Sequence, residues 1–117
     1  MSQITTHIID TTSGKPATGI TVVLYQAKDD DPVAGGWTEI ARGVTNKDGR
    51  ISDLLEKEKK IQTGIYKMRF ETKDYFDQNR ITTFYPYIEI VFDIRSDEHY
   101  HIPLLLNPFG YSTYRGS

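Results

Sequence analysis

The sequence predicts an all-β protein, an antiparallel β-sandwich of about eight short strands with one short helix. Three observations predict it. Apolar residues alternate with polar ones instead of recurring at helical spacing, turn-forming clusters separate the alternating segments, and one polar, aromatic stretch breaks the pattern. The alternation is clearest in Tyr66–Thr72, where Tyr66, Met68 and Phe70 interleave with Lys67, Arg69 and Glu71. It recurs in Tyr87–Ile94, where Ile88, Ile90, Phe92 and Ile94 interleave with Glu89, Val91 and Asp93. Successive side chains of a strand point to opposite faces of its sheet, so each segment buries one face and leaves the other largely polar. The remaining strand candidates are Gln3–Ile9, Ile20–Gln26, Thr38–Thr45, Arg50–Asp53, Tyr100–Leu106 and Tyr111–Arg115. Turns are expected at Ser13-Gly14-Lys15-Pro16, Gly35-Gly36, Asn46-Lys47-Asp48-Gly49 and Asn107-Pro108. Lys73–Asn79, with Thr72 as its N-cap, reads as a helix of about two turns. The charge run Glu56–Lys60 reads as a solvated loop.

Length and composition narrow the function classes. The 117 residues make one domain, 1–117, large enough for a buried core, and 38% hydrophobic with 26% charged residues is the balance of an ordinary globular chain. A formal charge of −2 supplies no positive field to attract a phosphate backbone, so nucleic acid is not an expected partner. The absence of cysteine removes disulfide scaffolds, thiolate metal sites and cysteine nucleophiles together. No apolar run reaches the ~18 residues of a membrane span, and Met1–Asp10 has no signal-peptide pattern, so the expected location is the cytoplasm, with the peroxisome open for a eukaryotic source. Phosphate loops and nucleophile elbows are missing from the sequence. With no thiolate and no helical pair of histidines, neither a metal nor a cofactor is expected.

The chain's last segment, His99–Ser117, concentrates chemistry. If Tyr100–Leu106 is a strand, Tyr100, Ile102, Leu104 and Leu106 form its core face, and His99, His101, Pro103 and Leu105 share the opposite one. His101 is therefore a functional candidate, whereas His99, nearer the strand end, reads as solvent-exposed. Tyr111, Tyr114 and Arg115 gather aromatic surface and a cation beside a carboxylate, a combination suited to a flat, polar, anionic molecule, although an edge strand of packing tyrosines has the same composition. His7 inside the first strand and Arg50 after the Asp48-Gly49 turn each read, taken singly, as packing or surface residues.

Taken together, these segments resemble the transthyretin-like 5-hydroxyisourate hydrolases. The resemblance rests on Thr5-Thr6-His7-Ile8-Ile9-Asp10 with Ser13-Gly14-Lys15-Pro16-Ala17, on Thr45-Asn46-Lys47-Asp48-Gly49-Arg50, and on His99-Tyr100-His101-Ile102-Pro103 through Tyr114-Arg115-Gly116-Ser117. The terminal tetrapeptide distinguishes these enzymes from the hormone-carrying transthyretins. The resemblance implies an eight-stranded sandwich with one short helix, assembled as a homotetramer, a dimer of dimers. Its clefts would lie between dimers, lined by His7, Arg50, His101 and Tyr114, Arg115, Gly116 and Ser117. The implied reaction is hydrolysis of the N1–C6 bond of 5-hydroxyisourate to the ureidoimidazoline.

Attack of water on a carbonyl needs a base and a cation to hold the developing oxyanion. On this resemblance His101 would activate or orient the water, His7 would hold substrate or relay a proton, and Arg50 would stabilise the charged oxygens. The sequence leaves either histidine as the base. Tyr114 and Arg115 would shape and anchor the cleft, and the Ser117 carboxylate would make fixed contacts in it. The loops Ala27–Gly36 and Asp53–Thr63 carry no functional signal. Two rivals share the pattern: a small-ligand carrier of the transthyretin kind, and the prealbumin-like spacer repeats with a comparable Gly14–Ala17, Asn46–Arg50 and Gly64–Tyr66 arrangement.

Overall fold

The computed structural model describes residues 2–116 and is a two-layer β-sandwich with one short α-helix. Its strands are β1 (Ile4–Asp10), β2 (Lys15–Pro16), β3 (Thr21–Ala27), β4 (Trp37–Val44), β5 (Arg50–Ile51), β6 (Gly64–Phe70), β7 (Ile88–Ile94), β8 (Tyr100–Asn107) and β9 (Gly110–Thr113). The helix α1 (Thr72–Gln78) lies between β6 and β7. One sheet has the order β2-β1-β8-β9, with β5 also paired to β1, and the other has the order β4-β3-β6-β7. Two details depart from the expected pattern of eight antiparallel strands. Lys15–Pro16, expected as turn, pairs with Ile9 and Asp10 as the short ninth strand β2. The central pair β1–β8 runs parallel, with Ile4 opposite Tyr100 and Asp10 opposite Leu106. Such a pair joins segments far apart in sequence, so no local turn signal announces it.

The core is built from the faces the alternation predicts. Ile4 and Ile8 of β1, Leu24 of β3, Met68 and Phe70 of β6, and Leu104 of β8 are all fully buried. Each contributes roughly 1.5–3 kcal/mol by leaving water. Ile88 and Ile94 are buried as expected, but Ile90 and Phe92 between them are only partly so. The cause is topological, since β7 is the last strand of its sheet.

Helix α1 closes one end of the sandwich by burying Phe76 completely. Its start differs from the expected Lys73–Asn79: the N-cap is Glu71, with no side-chain cap hydrogen bond. Thr72 already lies inside the helix, and its buried hydroxyl has no partner among the described residues. Strand β6 ends at Phe70, so Glu71, the single residue before α1, takes the cap position. Tyr75 instead anchors the helix, donating its hydroxyl to Asp10 Oδ2 at 2.8 Å. Among the described residues no helix is long and apolar enough to cross a membrane.

Candidate active site

The outer face of β1 carries Thr5 and His7, and its two neighbours bring the other basic groups beside them. On one side the antiparallel pairing with β5 sets Arg50 opposite His7. On the other, the parallel pairing with β8 sets His101 opposite Thr5. A built turn fixes Arg50. Asn46 Oδ1 accepts hydrogen bonds from the backbone N–H of Asp48 at 2.8 Å and of Arg50 at 3.1 Å. Gly49 takes φ +72° and approaches β1 so closely that a Cβ there would stand 2.4 Å from the Ile8 carbonyl oxygen. That approach lets the Ile8 N–H donate to Gly49 O at 2.8 Å, stitching the turn to the strand that bears His7.

Beside β1 and β8 opens a cleft of about 230 Å³, lined by Thr5, Thr6, Arg50, Ile51, Ser52, His99 and His101. His7 adjoins it through its register with Arg50. The Thr5 hydroxyl lies 2.8 Å from His101 Nδ1 and 2.9 Å from His99 Nε2, and the two imidazoles stack with centroids 6.3 Å apart and planes 19° from parallel. His99 is thus half-buried and hydrogen-bonded, not the exposed residue the sequence suggests.

Both His7 and His101 are held below the usual histidine pKa. For His7 the main cause is burial, followed by the positive charge of Arg50, with Asp48 opposing. For His101 the causes are burial, then Arg50, His99 and His7, with a hydrogen bond to the Thr5 backbone opposing. Both imidazoles are therefore predominantly neutral at neutral pH and able to accept a proton. Among the described residues no group of three or more His, Asp or Glu is placed to hold a metal ion.

Residues 4–116 match the family model described as HIUase/Transthyretin. The chain belongs to the HIUase/Transthyretin family. The 5-hydroxyisourate hydrolase of Salmonella dublin is 47% identical over 115 residues, covering 97% of this chain and 80% of that relative. The structure of Klebsiella pneumoniae 5-hydroxyisourate hydrolase superimposes with a TM-score of 0.82 at 34% identity, covering 97% of this chain and 98% of its own. Sea bream transthyretin in complex with thyroxine superimposes with a TM-score of 0.87 at 33% identity, covering 98% and 95%.

In this member of the HIUase/Transthyretin family the C-terminal residues divide between two places. Gly116 docks on the site: its N–H donates to His101 O at 2.8 Å, and a Cβ on it would lie 2.6 Å from His101 Cδ2. Only glycine lets the tail lie this close to the imidazole. Arg115 turns away, pairing with Glu98 at 2.7 Å and placing its guanidinium 4.3 Å from the centre of the Tyr100 ring. With Tyr114 it lines a larger, mainly apolar groove of about 490 Å³ between the β7 and β9 edges. Within one chain, then, His7, Arg50, His101 and the Gly116 backbone come together, and the Arg115 and Tyr114 side chains do not join them. Ser117 lies outside the described residues.

Thr5 is a site residue that no sequence signal marks as functional. Its alternation with Thr6 places it on the His7 face, but only the β1–β8 register shows that it bridges two histidines from the far end of the chain.

Proposed function

We propose that this chain is a 5-hydroxyisourate hydrolase, opening the six-membered ring at the N1–C6 bond to give 2-oxo-4-hydroxy-4-carboxy-5-ureidoimidazoline. The observation that carries this reading is the juxtaposition of two depressed-pKa histidines with one guanidinium, on three strands that share one sheet face. The 47% identity to the Salmonella dublin 5-hydroxyisourate hydrolase over 115 residues supports the same reading. Water attacks C6, a neutral imidazole takes its proton, and the electron pair of the C–O double bond moves onto oxygen. Arg50 stabilises the resulting oxyanion, which is most stabilising in a site shielded from water. Collapse of the tetrahedral centre breaks C6–N1, and N1 leaves with a proton from the histidinium. His101 is the base in this proposal, because it lines the cleft and its Nε2 has no hydrogen-bond partner among the described residues. His7 adjoins Arg50 and orients the substrate.

The catalytic unit is a homotetramer, a dimer of dimers, in the same proposal. Its support is the unpaired outer edges of β7 and β9 and the apolar groove between them, together with Phe84 and Phe109, each about two-thirds exposed at 69% and 67%. Such apolar exposure is typical of contact surfaces. Tyr114 and Arg115 would complete a cleft across such a boundary. The net charge of −2 suits a small-molecule partner better than nucleic acid or an anionic membrane, and the cysteine-free composition suits the cytoplasm.

The test is decay of 5-hydroxyisourate supplied in situ by urate oxidase and followed by absorbance. Wild-type protein should accelerate the decay, and His101→Asn should lose about 10²–10⁴-fold in turnover. Turnover close to wild type in that variant removes His101 from the chemistry.

A further inference from the structure

The Thr5 hydroxyl is shared by two imidazole nitrogens, at 2.8 Å from His101 Nδ1 and 2.9 Å from His99 Nε2. A hydroxyl has a single proton. It can therefore donate to only one of these nitrogens, and the other must bring its own N–H. In one arrangement His99 donates to Thr5 and Thr5 donates to His101 Nδ1, which puts the His101 proton on Nε2. In the other, His101 Nδ1–H donates to Thr5 and Thr5 donates to His99, which leaves His101 Nε2 with a bare lone pair. Arg50 lines the same cleft as His101, and a cation favours a lone pair over an N–H on the side it faces. The second arrangement is thus the one that suits a base.

We propose that Thr5 is a positioning residue whose hydroxyl couples the tautomers of His99 and His101, holding His101 Nε2 free of its proton. This rests on the assignment of His101 as the base of the proposed hydrolysis. The charged and titratable groups around the pair are His7 on β1 with Asp48 beside it, Arg50 on β5, and the Arg115–Glu98 ion pair, in which Arg115 also donates to His99 O at 3.4 Å. The surroundings support the geometry. Thr5 is 91% shielded from solvent, and Gly116 presses on the His101 ring from the tail, so neither group can easily reorient.

The experiment reads the histidine tautomers of the intact protein by NMR with 15N-labelled histidine, alongside the decay assay. In the wild type, the neutral His101 should carry its proton on Nδ1. A neutral His101 that carries its proton on Nε2 in the wild type overturns the proposal without any variant. Thr5→Val should abolish the coupling, move the acid limb of the kcat profile and lower kcat on the order of 10-fold, short of the loss expected for the base itself, with KM nearly unchanged. Thr5→Ser should restore all three. A Thr5→Val protein that is only less stable, with wild-type kcat, pH profile and tautomer, also overturns it. His101→Asn separates the two failures. Wild-type turnover there removes the base assignment, whereas an inactive His101→Asn beside an unaffected Thr5→Val removes only the coupling.

Discussion

Arg50 has two effects on its neighbours, because one guanidinium depresses the proton affinity of both His7 and His101 while standing ready for an oxyanion. The sign of its removal follows. Arg50→Gln takes away a positive charge that disfavours imidazolium, so the pKa of both histidines should rise toward the unperturbed value of about 6.5. Activity that requires a neutral imidazole should then fail at higher pH in the variant than in the wild type. The pH profile of kcat/KM measures this, and an unmoved or down-shifted acid limb contradicts the electrostatic account. The same shifts bear on stability. Both folded-state pKa values lie below that of an unfolded histidine, so between them the unfolded chain binds more protons. The contribution is fully present above about 6.5 and is lost as the pH falls through the folded-state values. Chemical denaturation at a series of pH values should show unfolding free energy declining with acidification in that window, and less so in Arg50→Gln.

At the scale of elements, two joints hold the site in register. The first is the Asn46–Arg50 turn, where Gly49 combines a left-handed backbone with contact to the Ile8 carbonyl. Gly49→Ala meets both obstacles, and should cost at least about 1 kcal/mol while moving Arg50 off His7. Thermal unfolding and the decay assay should both register it. Loss of stability with undiminished turnover means that Arg50 does not depend on this turn. The second joint is the hydrogen bond from Tyr75 of α1 to the buried Asp10 of β1. Burial and the Asp10 carboxylate together push the Tyr75 phenol up to about 12, so it remains a donor at any physiological pH. Tyr75→Phe keeps the ring against Phe76 but leaves Asp10 Oδ2 without this donor, with an expected cost of about 1–3 kcal/mol. Urea unfolding of that variant tests it, and a midpoint equal to wild type shows that the bond is energetically neutral.

At the scale of the molecule, the histidine cleft and the apolar groove lie on different parts of one chain, and both are open. The groove runs beside two strand edges with unpaired backbone groups, features that proteins normally cover. If subunits meet there, specific activity should fall on dilution as the assembly dissociates, in step with the loss of the large species in sedimentation. Constant activity per chain through that transition means that one subunit carries a complete site.

The sandwich, its strand faces and most of its turns are legible in the residues alone, because alternation and turn chemistry are local properties. His101 stands out by its strand face alone, whereas His7 and Arg50 join it only through the family resemblance. The parallel β1–β8 register, the extra strand β2 and the bridging role of Thr5 came only from the tertiary structure. Pairing between segments more than ninety residues apart leaves no periodic trace in either segment, and a hydroxyl on a strand face looks like any other until the partner strand is in place. The divergence of Gly116 and Arg115 has the same origin: adjacent residues of an extended tail point to opposite sides, and only the packed sheet decides which side holds the histidines.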